Sequence, residues 1–170
     1  MLKRFILFIF FCFLARMAVA QNAEQESSLK AVFIYNFTKY IEWDKKIEGD
    51  FVIGVLGESP VTKVLAQIAK TSTAKNKNIV VKQFNRPEDI SACNILFISK
   101  NLPYSLQSIL AWVDKGVLTI SEEPGYASKG TMFNFVIMNN KLKFEANLKN
   151  IYSAGLKASS QLLKLAVIVD

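Results

Sequence analysis

Four short apolar runs, Phe51–Leu56, Ile79–Phe84, Ile95–Ser99 and Val117–Ser121, punctuate the middle of this chain between turn signals and segments of helical spacing. Runs this short and rich in β-branched residues read as buried strands. Ile95–Ser99 is almost wholly apolar, as the centre of a covered sheet requires. Gly57-Glu58-Ser59-Pro60 turns the chain after the first run. Ser59 suits an N-cap and Pro60 a first helical position, which predicts a helix to about Lys70 with Val61, Val64, Leu65, Ile68 and Ala69 at helical spacing. Pro103–Lys115 reads as another helix, with Leu106, Ile109, Leu110 and Val113 inward and Gly116 at its end. Helices between strands imply parallel crossovers. Further on, Met132–Met138 and Lys141–Leu148 read as strands joined at Asn139-Asn140 in a tight hairpin. The second alternates Leu142, Phe144, Ala146 and Leu148 with polar residues, so it is expected half-buried near a sheet edge. Glu122–Gly130 reads as a long exposed loop, and a long helix from about Asn150 is expected to close the chain. Gly155 inside that helix implies close approach to another element. The expectation is a three-layer α/β domain with a mixed sheet of about six strands flanked by helices on both faces.

Ahead of these runs stands Lys30–Trp43, KAVFIYNFTKYIEW, with five aromatics (Phe33, Tyr35, Phe37, Tyr40 and Trp43). Read as one helix, it places Leu29, Val32, Phe33, Asn36, Tyr40 and Trp43 on a stripe at i, i+3, i+4 spacing. That stripe is assigned to the core, with Asn36 as a polar group that must find partners there. Tyr35, off the stripe, and Trp43, at its end, remain as partner-facing candidates.

The first twenty residues read as an export signal rather than as structure. Lys3 and Arg4 precede an apolar run from Phe5 to Leu14, and Ala18-Val19-Ala20 supplies a small-x-small cleavage pattern. The run is too short to span a bilayer. Cleavage after Ala20 and a periplasmic location are expected, with residues 21–170 forming one domain that does not insert directly into the membrane. Losing Lys3, Arg4 and Arg16 lowers the basic count from 21 to 18 against 14 acidic residues, and the lysines are spread out. Nucleic acid, which selects a concentrated basic face, is not an expected partner. Cys93 is the one cysteine left in the mature chain, so no intramolecular disulfide can form. It reads as a small buried hydrophobe.

Chemistry is scarce. The chain has no histidine, which removes Ser-His-Asp and Cys-His catalysis and histidine-based zinc sites. Gly54-Val55-Leu56-Gly57 sits where a strand feeds a helix, but it lacks the Walker lysine, and Glu58 repels an anion. Glu122 and Glu123 are adjacent, so in extended chain they point apart and do not flank one bond. Ser99 and Ser121 end strands at the expected carboxyl edge of the sheet, without a base. No catalytic residue, metal or cofactor is assigned, and the chain is expected not to be an enzyme.

Several segments in order resemble the YfiR/HmsC-like family of periplasmic regulators. KAVFIYNFTKYIEW is similar to its opening helix, FVIGVLGESP to its first strand and turn, and CNILFIS to its central strand. VLTISEEPGYASKGTMFNFV and LKFEANLKNIYSAGLKASSQLLKLA continue the match to about Ala166. The resemblance implies a non-enzymatic protein that binds the periplasmic sensory region of an inner-membrane signalling protein. In the best-understood members that target is a diguanylate cyclase held inactive, which lowers cyclic di-GMP and biofilm formation. A homodimer is expected. Some members use disulfides for redox response, and a lone Cys93 rules out that intramolecular switch here. Lys129 before Gly130 also departs from the paired glycines of the family.

A second reading is a small-molecule sensor linked to a histidine kinase or an outer-membrane transporter, with its cleft at the strand carboxyl ends near Gly57, Ser99 and Glu122. A hydrolase ranks third. The partner- or ligand-facing candidates are therefore Tyr35, Trp43, Gly57, Glu58, Ser99, Glu122 and Tyr126.

Overall fold

A computed structural model describes residues 23–170; the export signal expected over residues 1–20 lies outside them. The first helix, α1, runs through residues 23–40. It is followed by β1 (Ile41–Trp43), β2 (Phe51–Leu56), α2 (Pro60–Thr71), β3 (Thr73–Ala74), β4 (Lys77–Phe84) and a 3-10 turn at Pro87–Asp89. Next come β5 (Ile95–Ile98), α3 (Leu106–Leu110), β6 (Leu118–Ser121), α4 (Tyr126–Lys129), β7 (Phe133–Met138) and β8 (Lys141–Asn147). The chain continues through α5 (Leu148–Ser153), β9 (Leu156–Ala158), α6 (Ser160–Leu163) and β10 (Val167–Val169).

Eight strands form one mixed sheet in the order β10-β8-β7-β6-β5-β2-β4-β3. The four central apolar runs pair in parallel, with Ile53 opposite both Val81 and Ile95, and Phe97 opposite Ile120. Helices cover both faces, so the three-layer α/β expectation holds. The six expected strands are β2, β4, β5, β6, β7 and β8. The two additional ones, β3 and β10, are short edge strands of a kind that periodicity does not reveal.

On one face, α1 and α2 bury Ile34, Phe37, Val61 and Leu65 against Ile53, Phe97, Phe133 and Phe144. On the other, Leu106 and Ile109 of α3 pack on Leu56, Leu96 and Ile98. The α2 start follows its local signals: Ser59 accepts from the Val61 amide and Pro60 is the first helical residue. At the hairpin, Asn139 and Asn140 have φ of 50° and 57°, the left-handed pair that a two-residue type I′ turn requires.

Six expectations are corrected. The inward stripe of α1 is Lys30, Ala31, Ile34, Phe37 and Thr38, whereas Leu29, Val32 and Tyr40 are exposed. Both stripes have helical spacing, because the helix is apolar on two sides. The phenylalanine-rich face of β7 and β8 selects the one carrying Phe37, whose ring stacks on Phe133 at 4.6 Å. Asn36 is only half-buried, so Lys30 and Thr38 are the buried polar groups of this helix. Trp43 is not helical, since Ile41–Trp43 pairs antiparallel with β9 in a separate two-stranded sheet.

The long closing helix is instead α5, β9, α6 and β10. Gly155 adopts φ +77°, which ends the helix and lets its carbonyl accept from the Asp44 amide at 3.2 Å. The close approach expected at this glycine is therefore present. The helix over Pro103–Lys115 shortens to Leu106–Leu110, because Ser105 caps it by accepting from the Ser108 amide. Finally, the stretch Glu122–Gly130 contains α4 and is not uniformly exposed; the Glu122 side chain is 8% exposed.

Candidate functional site

The strands β2, β5, β6 and β7 run parallel to one another and present their carboxyl ends together. The chain leaves β2 for β4 on one side through α2, whereas β5 lies on the other. The switch in strand order therefore falls between Gly57 and Ser99, where α/β sheets commonly open a crevice. Here that crevice is filled. A Cβ at Gly57 would lie 2.5 Å from Leu102 Cδ2 and 3.5 Å from Ser99 Cβ. Ser99 is buried, and its hydroxyl has no hydrogen-bond partner among the described residues.

A groove of about 600 Å³ opens farther along, lined by Glu26 and Lys30 from α1, Glu122 after β6, Lys100 after β5 and the outer half of β7. Lys30 is buried, and its ammonium meets Glu122 Oε2 and Glu26 Oε1, each at 2.5 Å. Burial acts to lower the Lys30 pKa. Its hydrogen bonds to Glu122 and Glu26, with the attraction of both carboxylates, outweigh burial and raise it above the ordinary lysine value. Lys30 is thus held as a cation and is not available as a free amine. The other Glu122 oxygen accepts from the Lys100 amide at 3.3 Å, and Glu123 accepts from the Asn101 amide at 3.0 Å. The adjacent acids therefore tie the β5 and β6 loops together.

Beneath the groove runs a buried polar row set by strand register: Ser121 lies opposite Asn134, and Asn134 opposite Glu145. Ser121 Oγ lies 2.7 Å from Asn134 Oδ1 and 2.9 Å from Thr131 Oγ1. Asn134 Nδ2 donates to Glu145 Oε2 at 3.0 Å. Serine, threonine and asparagine here satisfy one another, as buried polar groups must. No group of three or more metal-ligating side chains occurs among the described residues, nor is any described helix long and apolar enough to cross a membrane.

The remaining candidates are dispersed. The Tyr35 hydroxyl donates to the Thr73 carbonyl at 3.5 Å, and the Lys39 ammonium sits 4.5 Å from its ring. Trp43 stands edge-on to Phe51 at 5.4 Å and, with Cys93 and Gly155, lines a separate cavity of about 460 Å³. That cavity opens at the amino end of β5, away from Glu122. Burial, with a smaller contribution from Asp114, pushes the Cys93 thiol up to about 12. Glu58 is exposed, and Tyr126 is half-buried against the α3 cluster. Only Glu122 of the sequence candidates lines the groove, with Gly57 and Ser99 buried nearby. Lys30, Glu26, Asn134 and Glu145 were missed. The i, i+4 pair of Glu26 and Lys30 was the available signal, but Lys30 lay off the stripe assigned inward.

A family model described as YfiR/HmsC-like matches residues 27–167. The chain belongs to the YfiR/HmsC-like family, one of regulators of periplasmic type acting on cyclic di-GMP signalling rather than of catalysts.

Proposed function

We propose that this chain is an exported, non-enzymatic regulator that binds the periplasmic sensory region of an inner-membrane diguanylate cyclase and represses it, working as a homodimer. Family membership over residues 27–167 carries the reading. The site geometry agrees with it. The charged and hydroxyl groups near the groove are largely engaged with one another, as in Lys30 with Glu122 and Ser121 with Asn134. Apolar side chains, by contrast, stand outward on α1 and the β7–β8 hairpin, with Leu29 44% and Ile137 56% exposed. Exposed apolar residues beside a polar rim suit contact with another protein. The test is co-purification of the tagged chain from detergent-solubilised inner membranes: a cyclase with a periplasmic domain supports the reading, and a transporter or histidine kinase redirects it.

The groove favours one second reading, a small-molecule sensor, because its volume lies in the range of ligand pockets. A thermal-shift screen against periplasmic metabolites separates the two, since a ligand that binds only the folded state must raise the melting temperature.

A further inference from the structure

The outer half of β7 has a partner strand on one side only. β6 pairs with β7 at Ile120–Phe133 and Ser121–Asn134 and then ends. Against β8, β7 continues through Phe135, Val136, Ile137 and Met138. The Asn147 amide donates to the Met132 carbonyl, which sets the phase of that ladder. Asn134, Val136 and Met138 turn their main-chain groups toward β8, so Phe133, Phe135 and Ile137 turn theirs the other way. The parallel bridge of Ser121 with Asn134 takes up the Phe135 amide on the Ser121 carbonyl, so the Phe135 carbonyl and both main-chain groups of Ile137 lie beyond β6. No strand meets them there among the described residues, and the groove lies along this stretch.

We propose that this edge receives an extended segment of the partner protein as an added strand; the inference rests on the regulatory reading above. A row of outward N–H and C=O groups at strand spacing is matched by another polypeptide backbone, with alternate side chains giving selectivity. Open edges are ordinarily blunted by charge, proline or extreme shortness. The open side of β4 carries Lys82, and β10 has three residues. Phe135–Met138 carries neither charge nor proline, and Ile137 and Met138 are exposed.

Charge selects the occupant. Glu26, Glu122 and Glu145 face Lys30 and Lys100 in the groove, and Lys30 is engaged by Glu26 and Glu122. Glu145 uses Oε2 on Asn134. A second copy brings the same negative excess to the contact, whereas an apolar segment carrying a lysine or arginine relieves it.

The probe is a set of linear seven-residue peptides selected from a random displayed library against the full chain and resynthesised with blocked ends. Expected are peptides of alternating apolar residues with one basic residue, which slow hydrogen exchange at the Ile137 amide. Ile137→Pro removes an outward donor without touching the β8 ladder. It should weaken binding about tenfold, the loss expected when one acceptor is left unmatched. If that variant fails to fold, exchange in the unsubstituted chain still decides. Peptides that leave the Ile137 amide unprotected overturn the proposal, as does a selection that yields no binder. Protection that rises with protein concentration alone assigns the edge to a second copy and also overturns it. If deleting the chain changes cyclic di-GMP and the folded Ile137→Pro chain complements fully, the edge proposal fails while the regulatory reading stands.

Discussion

The Lys30 ammonium on α1 reaches the Glu122 carboxylate, the residue after β6, at 2.5 Å, and both side chains are 8% exposed. The contact joins groups 92 residues apart in sequence. It fixes the first helix against the carboxyl end of the sheet, beside the groove. Two charges with so little exposure persist because each supplies what the other lacks.

Removing only the cation should therefore be costly. Lys30→Met leaves Glu122 buried without its ammonium partner, and the expected loss is about 3–5 kcal/mol in urea unfolding. Lys30→Met with Glu122→Gln should recover most of it. A single-variant loss no larger than that of an exposed pair, about 1 kcal/mol, contradicts the assignment.

The pH dependence of that loss has a definite sign. The folded-state pKa of Lys30 is raised by Glu122 and Glu26 despite burial. Its contribution is then fully present below the unfolded lysine value of about 10.4 and declines as pH rises through the higher folded value. The stability gap between the unsubstituted chain and Lys30→Met should stay level from about pH 7 to 9 and narrow only above about pH 10.5. A gap that already closes by pH 9 contradicts the raised value.

The phase of α1 is testable by two truncations on its opposite sides. Phe37→Ala removes a ring stacked on Phe133 and set edge-on to Phe144 at 5.2 Å. It should cost about 3–5 kcal/mol. Val32→Ala, on the exposed side, should stay within about 0.5 kcal/mol. Equal losses would return Val32 to the core.

Asn134→Ala interrupts the buried row between Ser121 and Glu145. An expected loss of about 1–3 kcal/mol follows from leaving those partners short of a bond. Chemical denaturation measures it, and a neutral result would mean that the row does not contribute.

Cys93 should be slow to react. Burial first, and Asp114 second, push its thiol up to about 12, so little thiolate exists near neutrality. Alkylation at pH 8 should be far slower in the folded chain than in denaturant. Equal rates would show that the thiol is accessible.

Much of the sheet was legible in the sequence because its strands are local events. Phe51–Leu56 needs no distant partner to read as a buried run, and Ser59-Pro60 marks the start of α2 by itself. What remained hidden depends on other elements. Ile41–Trp43 is a strand only because β9 lies beside it, and Gly155 divides a helical pattern through its own backbone conformation. The inward face of α1 is not legible from spacing, because two apolar stripes compete and phenylalanines on distant strands decide between them. Glu122 is legible as a candidate from its place after a strand, but its partner Lys30 is not, since a lysine on a helix ordinarily points to solvent.

The central claim is that the chain represses a membrane cyclase without chemistry of its own. Its most direct test is the intracellular level of cyclic di-GMP in cells lacking the chain, compared with cells in which it is restored. The account predicts a rise on deletion and a return to the starting level when the full chain, with residues 1–20, is supplied again. An unchanged level in both strains contradicts it.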